Sequence, residues 1–156
     1  MLPMVSFSRL TLAAACALSL ATTAHAAGHA TSQEAQGLLD KAAAELTAAG
    51  PDKAFAEFNA GQAPYKAHEL YVFVFTMDGV YEASGANPKL VGTHAIDMTD
   101  AEGKLLVREM IQIAKTKGQG RVDYVWLNRA DNHVEHKRSL VRRVGDHIVG
   151  VGYYAG

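Results

Sequence analysis

L-Y-V-F-V-F-T, residues 70–76, is followed by M-D-G-V-Y-E-A-S, residues 77–84, and the two together read as an antiparallel hairpin. Aromatic and β-branched residues fill both halves, and Asp78-Gly79 supplies the turn chemistry between them. Side chains alternate across a strand, so Tyr71, Phe73 and Phe75 share one face and Val72 and Val74 the other. Neither set is polar. A strand apolar on both sides belongs to a sheet covered on both faces, and the rest of the chain has to supply both covers.

The flanking segments fit that demand. Residues 31–49 read as a helix: Thr31 and Glu34 form a capping box, and Leu38, Leu39, Ala42, Ala43 and Leu46 recur at helical spacing. Gly50-Pro51 stops it, and Asp52 is expected to cap a short second helix over 53–59, with residues 61–69 as a connector. Downstream, 97–103 reads as a polar turn and 104–117 as an amphipathic helix with Leu106, Met110, Ile113 and Ala114 on one side. Gly118 to Gly120 end it. Strands over 121–127, 134–144 and 147–154 complete the chain, joined by hairpin-like turns at Asp131-Asn132 and Gly145-Asp146. The order predicts an α+β domain, a five-stranded antiparallel sheet with the long N-terminal helix on one face. The loop of residues 84–92, S-G-A-N-P-K-L-V-G, is longer and more apolar than a plain connection needs. Such a loop beside a sheet is expected to close over something.

The ends and totals bound the function. Residues 1–26 carry one early arginine, an apolar run and an A-x-A site at Ala24-His25-Ala26, the pattern of a secretory signal peptide. The apolar run is shorter than the roughly 20 residues of a membrane span, and no later segment comes closer. Cleavage after Ala26 leaves 130 residues, one domain, and removes Cys16, the only cysteine. The domain is then expected to be periplasmic, free of disulfides and stabilised by burial. Removing Arg9 with the leader leaves 14 Lys+Arg against 16 Asp+Glu, a net −2 without a basic tract, so nucleic acid is excluded as a partner. A nucleophile–base motif, a zinc-protease motif and a phosphate-binding glycine loop are absent from the sequence. A binding module is the reading, with no enzymatic activity and no cofactor.

Three features carry candidate chemistry. Val122, Tyr124 and Trp126 share a strand face, where rings with one polar tip make good pocket walls; periodicity alone is met more simply by a filled core. Lys137 and Ser139 share a face with Val141, and a lysine aimed at an enclosed face calls for an anion such as a small carboxylate. A solvated lysine near a hairpin end is the plainer reading of Lys137 by itself. At the new N-terminus, Ala27-Gly28-His29 offers an amine, two amides and an imidazole, which can form a square-planar site for Cu(II) or Ni(II).

The succession of these pieces resembles a single Cache domain of the second type, a sensing family of bacterial chemoreceptors and histidine kinases. The resemblance runs through residues 70–75, 78–80, 85–92 and 100–104, then Gly118-x-Gly120-x-Val122-Asp123-Tyr124-x-Trp126, Lys137-x-Ser139 and Gly150-Val151-Gly152-Tyr153-Tyr154. It implies a PAS-like sheet with a long helix on one face and a ligand pocket on the other, and it makes the 84–92 loop a flap carrying Ser84, Asn87, Pro88 and Leu90. It further implies a small organic acid as ligand, with Lys137, Tyr124, Trp126 and Ser139 as contacts and Tyr71 and Phe73 as walls. Ser84 stands where many relatives carry a histidine, and Gly92-Thr93-His94-Ala95 also departs from their usual sequence. Receptors of this kind have membrane spans and an output domain. A chain with neither is expected to work through a membrane receptor, kinase or transporter. The alternative reading is a structural or protein-interaction module with a filled core.

Overall fold

The computed structural model describes residues 28–129 and 131–155. The leader reading of residues 1–26 and the residue Ala27 lie outside the described residues. Among the described residues, no helix is long and apolar enough to cross a membrane.

Helix α1, Ser32–Ala49, starts at the predicted capping box: the Thr31 hydroxyl accepts from the Glu34 amide at 3.2 Å, and the Glu34 carboxylate accepts from the Thr31 amide at 2.7 Å. Its buried stripe of Ala35, Leu39, Ala42, Ala43 and Leu46 is rich in alanine, which lets the helix lie close on the sheet. Helix α2, Pro51–Asn59, begins earlier than predicted. Gly50 takes the cap position and Pro51 the first turn, where its missing amide costs nothing, so Asp52 is not the cap. Its carboxylate instead sits in the first turn, which the helix dipole still favours. The predicted connector contains a two-residue strand, β1 (Lys66–Ala67), paired to the start of β2 (Leu70–Thr76).

β2 pairs with β3 (Tyr81–Ser84) on one side and β6 (His147–Tyr154) on the other. Beyond β6 lie β5 (His133–Val144) and β4 (Gln119–Asn128), every pairing antiparallel. The spatial order β3-β2-β6-β5-β4, with β1 beside β2, brings the first and last long strands together at the centre. This is the antiparallel α+β sheet that the sequence predicts, with the two-residue β1 added beside β2.

Both faces are covered, as the β2 pattern requires. Val72 and Val74 join Val149, Val151 and Tyr153 beneath α1 and α2. Phe73 and Phe75 join Val122, Tyr124, Val141 and Ile148 beneath α3, Leu106–Lys117. Helix α3 begins two residues later than predicted because the Asp100 carboxylate takes the Lys104 amide at 2.8 Å and holds that residue in a turn. Gly118, left-handed at φ 75°, turns the chain directly from α3 into β4, so the strand starts at Gln119 rather than Arg121.

One close approach shapes the α3 face. Phe73 lies opposite Gly150 of β6, and a Cβ built on Gly150 would stand 2.2 Å from the Phe73 ring. A ring held against a backbone cannot yield as a flexible chain end would. Gly150→Ala is therefore expected to destabilise the fold by about 1–3 kcal/mol, the usual cost of overpacking a filled core. Urea unfolding of the variant tests this, and an unchanged midpoint would refute it.

Candidate ligand-binding site

The 84–92 loop leaves β3 at Ser84, which is buried and held from both sides. The Ser84 amide donates to Asn59 Oδ1 of α2 at 2.8 Å, and its hydroxyl accepts from the Asn87 amide at 3.2 Å. Asn87 Oδ1 in turn accepts from the Lys89 amide at 3.2 Å and caps a single 3-10 turn, Pro88–Leu90. The loop is then tied back to β3 by the Gly92 amide on the Tyr81 carbonyl at 2.8 Å. It arches over the aromatic face of the sheet, as a flap would.

Beneath it lies a cavity of about 250 Å³. Tyr71, Phe73 and Phe75 of β2, Tyr81 of β3, and Tyr124 and Trp126 of β4 form its sheet side. Met98, Leu106 and Met110 close it from the crossover and α3, while Ser84, Asn87 and Leu90 contribute from the flap. The core on this face is thus not filled. Pro88 sets the turn and does not line the cavity.

Lys137 is the unusual residue. It is 1 % exposed, so it is no solvated hairpin lysine. Its Nζ donates to the Tyr71 hydroxyl at 3.3 Å and stands 4.5 Å from the Tyr154 ring centroid and 4.9 Å from that of Tyr71. Among the described residues no carboxylate pairs with it. The strand alternation of β5 aims Lys137, Ser139 and Val141 inward, and the register gives them room. Ser139 faces Gly152 of β6, where a Cβ would lie 2.6 Å from Lys137 Cε and 2.8 Å from Ser139 Oγ. Two aromatic faces offset part of the cost of burying the ammonium, but neither supplies a negative charge.

Burial raises three of the surrounding phenols, Tyr124, Tyr81 and Tyr154. Burial pushes the Tyr124 hydroxyl well above its ordinary value and the neighbouring Tyr71 adds to this, against the hydrogen bond from Ser139. Tyr81 is pushed up to about 12, chiefly by burial and secondarily by Tyr71. Burial likewise raises Tyr154, whose hydroxyl donates to the Leu127 carbonyl at 2.9 Å. Ser139 sits behind Tyr124, 2.8 Å from its hydroxyl, and positions it without lining the cavity.

Lys137 lines an adjoining, wider cavity of about 630 Å³, which shares Tyr71, Ala86, Trp126 and Arg129 with the first. Lys66, Arg129 and Lys137 line it against Glu69 and Asp131, an excess of one positive charge before any histidine is counted. Both carboxylates are engaged: Glu69 accepts from the Ala30 amide at 2.6 Å, and Asp131 from the His133 amide at 3.0 Å. His29 lines this cavity with Gly28, its Nε2 3.0 Å from Glu135 and its Nδ1 3.6 Å from Glu69. The nitrogen site read at Ala27-Gly28-His29 depends on Ala27, outside the described residues.

Sequence reasoning named Tyr71, Phe73, Tyr124, Trp126 and Lys137, and the fold gathers them. It missed Tyr81, Met98, Met110, Arg129 and the paired glycines 150 and 152. Gly150-x-Gly152 was legible as two missing side chains on one strand face, but only the register shows that they face Phe73 and Ser139.

A cavity under a loop on one face of an antiparallel sheet, adjoining a second cavity that a buried lysine lines, is the layout of a small-molecule-binding domain. The family model of the single Cache domain 2 matches residues 12–156, and the chain belongs to that family. Members are ligand-binding modules rather than enzymes, and serve as periplasmic or extracellular sensors. Among solved structures, the periplasmic sensor domain of a chemotaxis protein is similar at TM-score 0.61 and 23 % identity, covering 80 % of this chain and 90 % of that one. A methyl-accepting chemotaxis protein from Vibrio parahaemolyticus is similar at TM-score 0.65 and 18 % identity, covering 78 % and 86 %. A Cache chemosensory domain that recognises carboxylic acids is similar at TM-score 0.62 and 25 % identity, covering 80 % and 88 %. No curated protein sequence shows significant similarity to the chain.

Proposed function

We propose that this chain is a periplasmic receptor module for a small organic carboxylate, exported by a leader over residues 1–26. The observation that carries the reading is Lys137: a buried ammonium beside a cavity, with which no carboxylate pairs among the described residues. Such a charge is costly unless an anion completes it. The similar Cache domain that recognises carboxylic acids supports the same ligand class. The ligand's carboxylate meets Lys137 and the Tyr71 hydroxyl, and Tyr124 and Trp126 wall its body. Closure of the 84–92 flap over the bound acid shifts the domain between open and closed populations. A membrane receptor, kinase or transporter reads the closed surface. The cavity beside Tyr124 and Trp126 weighs against a filled interaction module.

A thermal-shift screen of the purified chain tests the reading, with acetate, propionate, lactate, pyruvate and hexanoate set against propionamide and propanol. A ligand that binds only the folded state adds about 2.7 kcal/mol of stability at a hundred times its dissociation constant. The melting temperature is expected to rise with carboxylates and to stay fixed with the uncharged analogues. Equal shifts from the amide, or none from any acid, would defeat the proposal.

A further inference from the structure

The two cavities differ in character, and the difference selects among carboxylates. The wider one holds Lys137 and the other charged groups. The narrower is walled chiefly by Phe73, Phe75, Met98, Met110 and Leu90, and among the described residues the one charged side chain lining it is Arg129, which it shares with the wider one. Tyr71 lines both, and Lys137, which lines the wider one, has its Nζ 3.3 Å from the Tyr71 hydroxyl, so one residue links the ammonium to the narrower chamber.

We infer that the ligand is an amphipathic monocarboxylate: its carboxylate sits at Lys137 and an apolar part of about five to eight heavy atoms enters the chamber under the flap. The inference rests on the carboxylate reading above and goes further, because it excludes acetate-sized acids as the best ligands. A volume of about 250 Å³ holds roughly eight groups the size of a water molecule at about 30 Å³ each. An acetate at Lys137 leaves that chamber without a ligand atom. Hydrocarbon extending from the same carboxylate buries its surface against rings and thioethers, and each methylene moved there from water strengthens binding about fourfold. The two methionines make the chamber tolerant of shape, since an unbranched thioether repacks easily. Straight-chain, branched and aryl-substituted acids all meet this description. A second carboxylate meets it less well, since the rings, methionines and Leu90 of the chamber offer no cation away from the shared Arg129.

Calorimetric titration of the full chain with the straight-chain acids from acetate to octanoate, each below its micelle concentration, tests the inference. Benzoate, phenylacetate, succinate and hexanol complete the panel. Affinity is expected to rise about fourfold per methylene from propionate to about hexanoate, then to flatten as the chamber fills. Succinate should bind more weakly than butanoate. If propionate binds as tightly as hexanoate, or affinity falls beyond propionate, the inference is overturned while the carboxylate reading stands. If hexanol matches hexanoate, or no acid binds, the carboxylate reading itself fails and the inference with it.

Discussion

Replacing Lys137 by Met should weaken carboxylate binding about ten- to hundredfold while leaving the unliganded domain at least as stable as before. The two halves of this expectation have one cause. The ammonium is buried against Tyr71 and Tyr154, and among the described residues no carboxylate pairs with it. It has given up water for one hydrogen bond and two ring faces. A methionine of similar length keeps the packing against Gly152 and carries no charge that needs solvating, and exchanging buried ions for well-packed apolar residues is often neutral or stabilising. With ligand present the balance reverses. The carboxylate then loses a charge-assisted hydrogen bond, worth about 1.5–3 kcal/mol, which gives the stated loss of affinity. Titration calorimetry and urea unfolding of the same variant separate the outcomes. Affinity that does not change removes Lys137 as the anchor. A large loss of stability would make Lys137 a structural residue instead. A binding residue that the fold tolerates at a cost is the signature expected of a site, and it is the opposite of what a core residue shows.

Much of this arrangement could be read along the chain because strand alternation is local. The alternate faces of Leu70–Thr76 give two covered layers, and the same arithmetic puts Lys137, Ser139 and Val141 on one side of β5. What alternation cannot give is which strand lies opposite. The neighbour of β2 is the last strand of the chain, and only that pairing sets Gly150 against Phe73 and only the β5–β6 register sets Gly152 against Ser139. The space for the lysine is therefore built from residues distant in sequence that have no side chain to announce themselves. The same holds for His29, whose partners Glu69 and Glu135 arrive from the turn before β2 and from β5. Element ends slipped where Pro51 fits the first turn of α2 because its missing amide costs nothing there, and where the Asp100 side chain competes with the backbone before α3.

Asp100 also carries the largest stability effect expected here. Its side chain is 7 % exposed and accepts three backbone amides: Oδ1 takes Glu102 at 2.9 Å and Lys104 at 2.8 Å, and Oδ2 takes Val125 at 3.0 Å. One carboxylate thus closes the turn before α3 and fastens it to β4 between Tyr124 and Trp126, two walls of the cavity. Asp100→Ala leaves the Val125 amide and the turn amides without that acceptor, and unmade bonds to a charged group cost about 1.5–3 kcal/mol each, though not additively. A loss of about 3 kcal/mol or more is expected, with weaker ligand binding as the β4 wall loosens. Protonation probes the same contacts. Burial alone would raise the Asp100 carboxyl, but the amides of Val125, Lys104 and Glu102 outweigh it and hold it below its ordinary value. A carboxyl lowered in the folded state contributes stability above its unfolded value of about 3.9, and that contribution is lost as pH falls through the folded value. Asp123 adds to this slope, held low by Arg138 and Arg121 against the effect of burial. Asp100→Asn should therefore flatten, without abolishing, the fall in stability below about pH 4. Unfolding curves between neutral pH and pH 2 would decide it: an unchanged acid slope, together with a loss below about 1 kcal/mol in Asp100→Ala, would mean that the crossover is held to β4 by its apolar contacts, with Met98 and Leu106 fixing the cavity wall unaided.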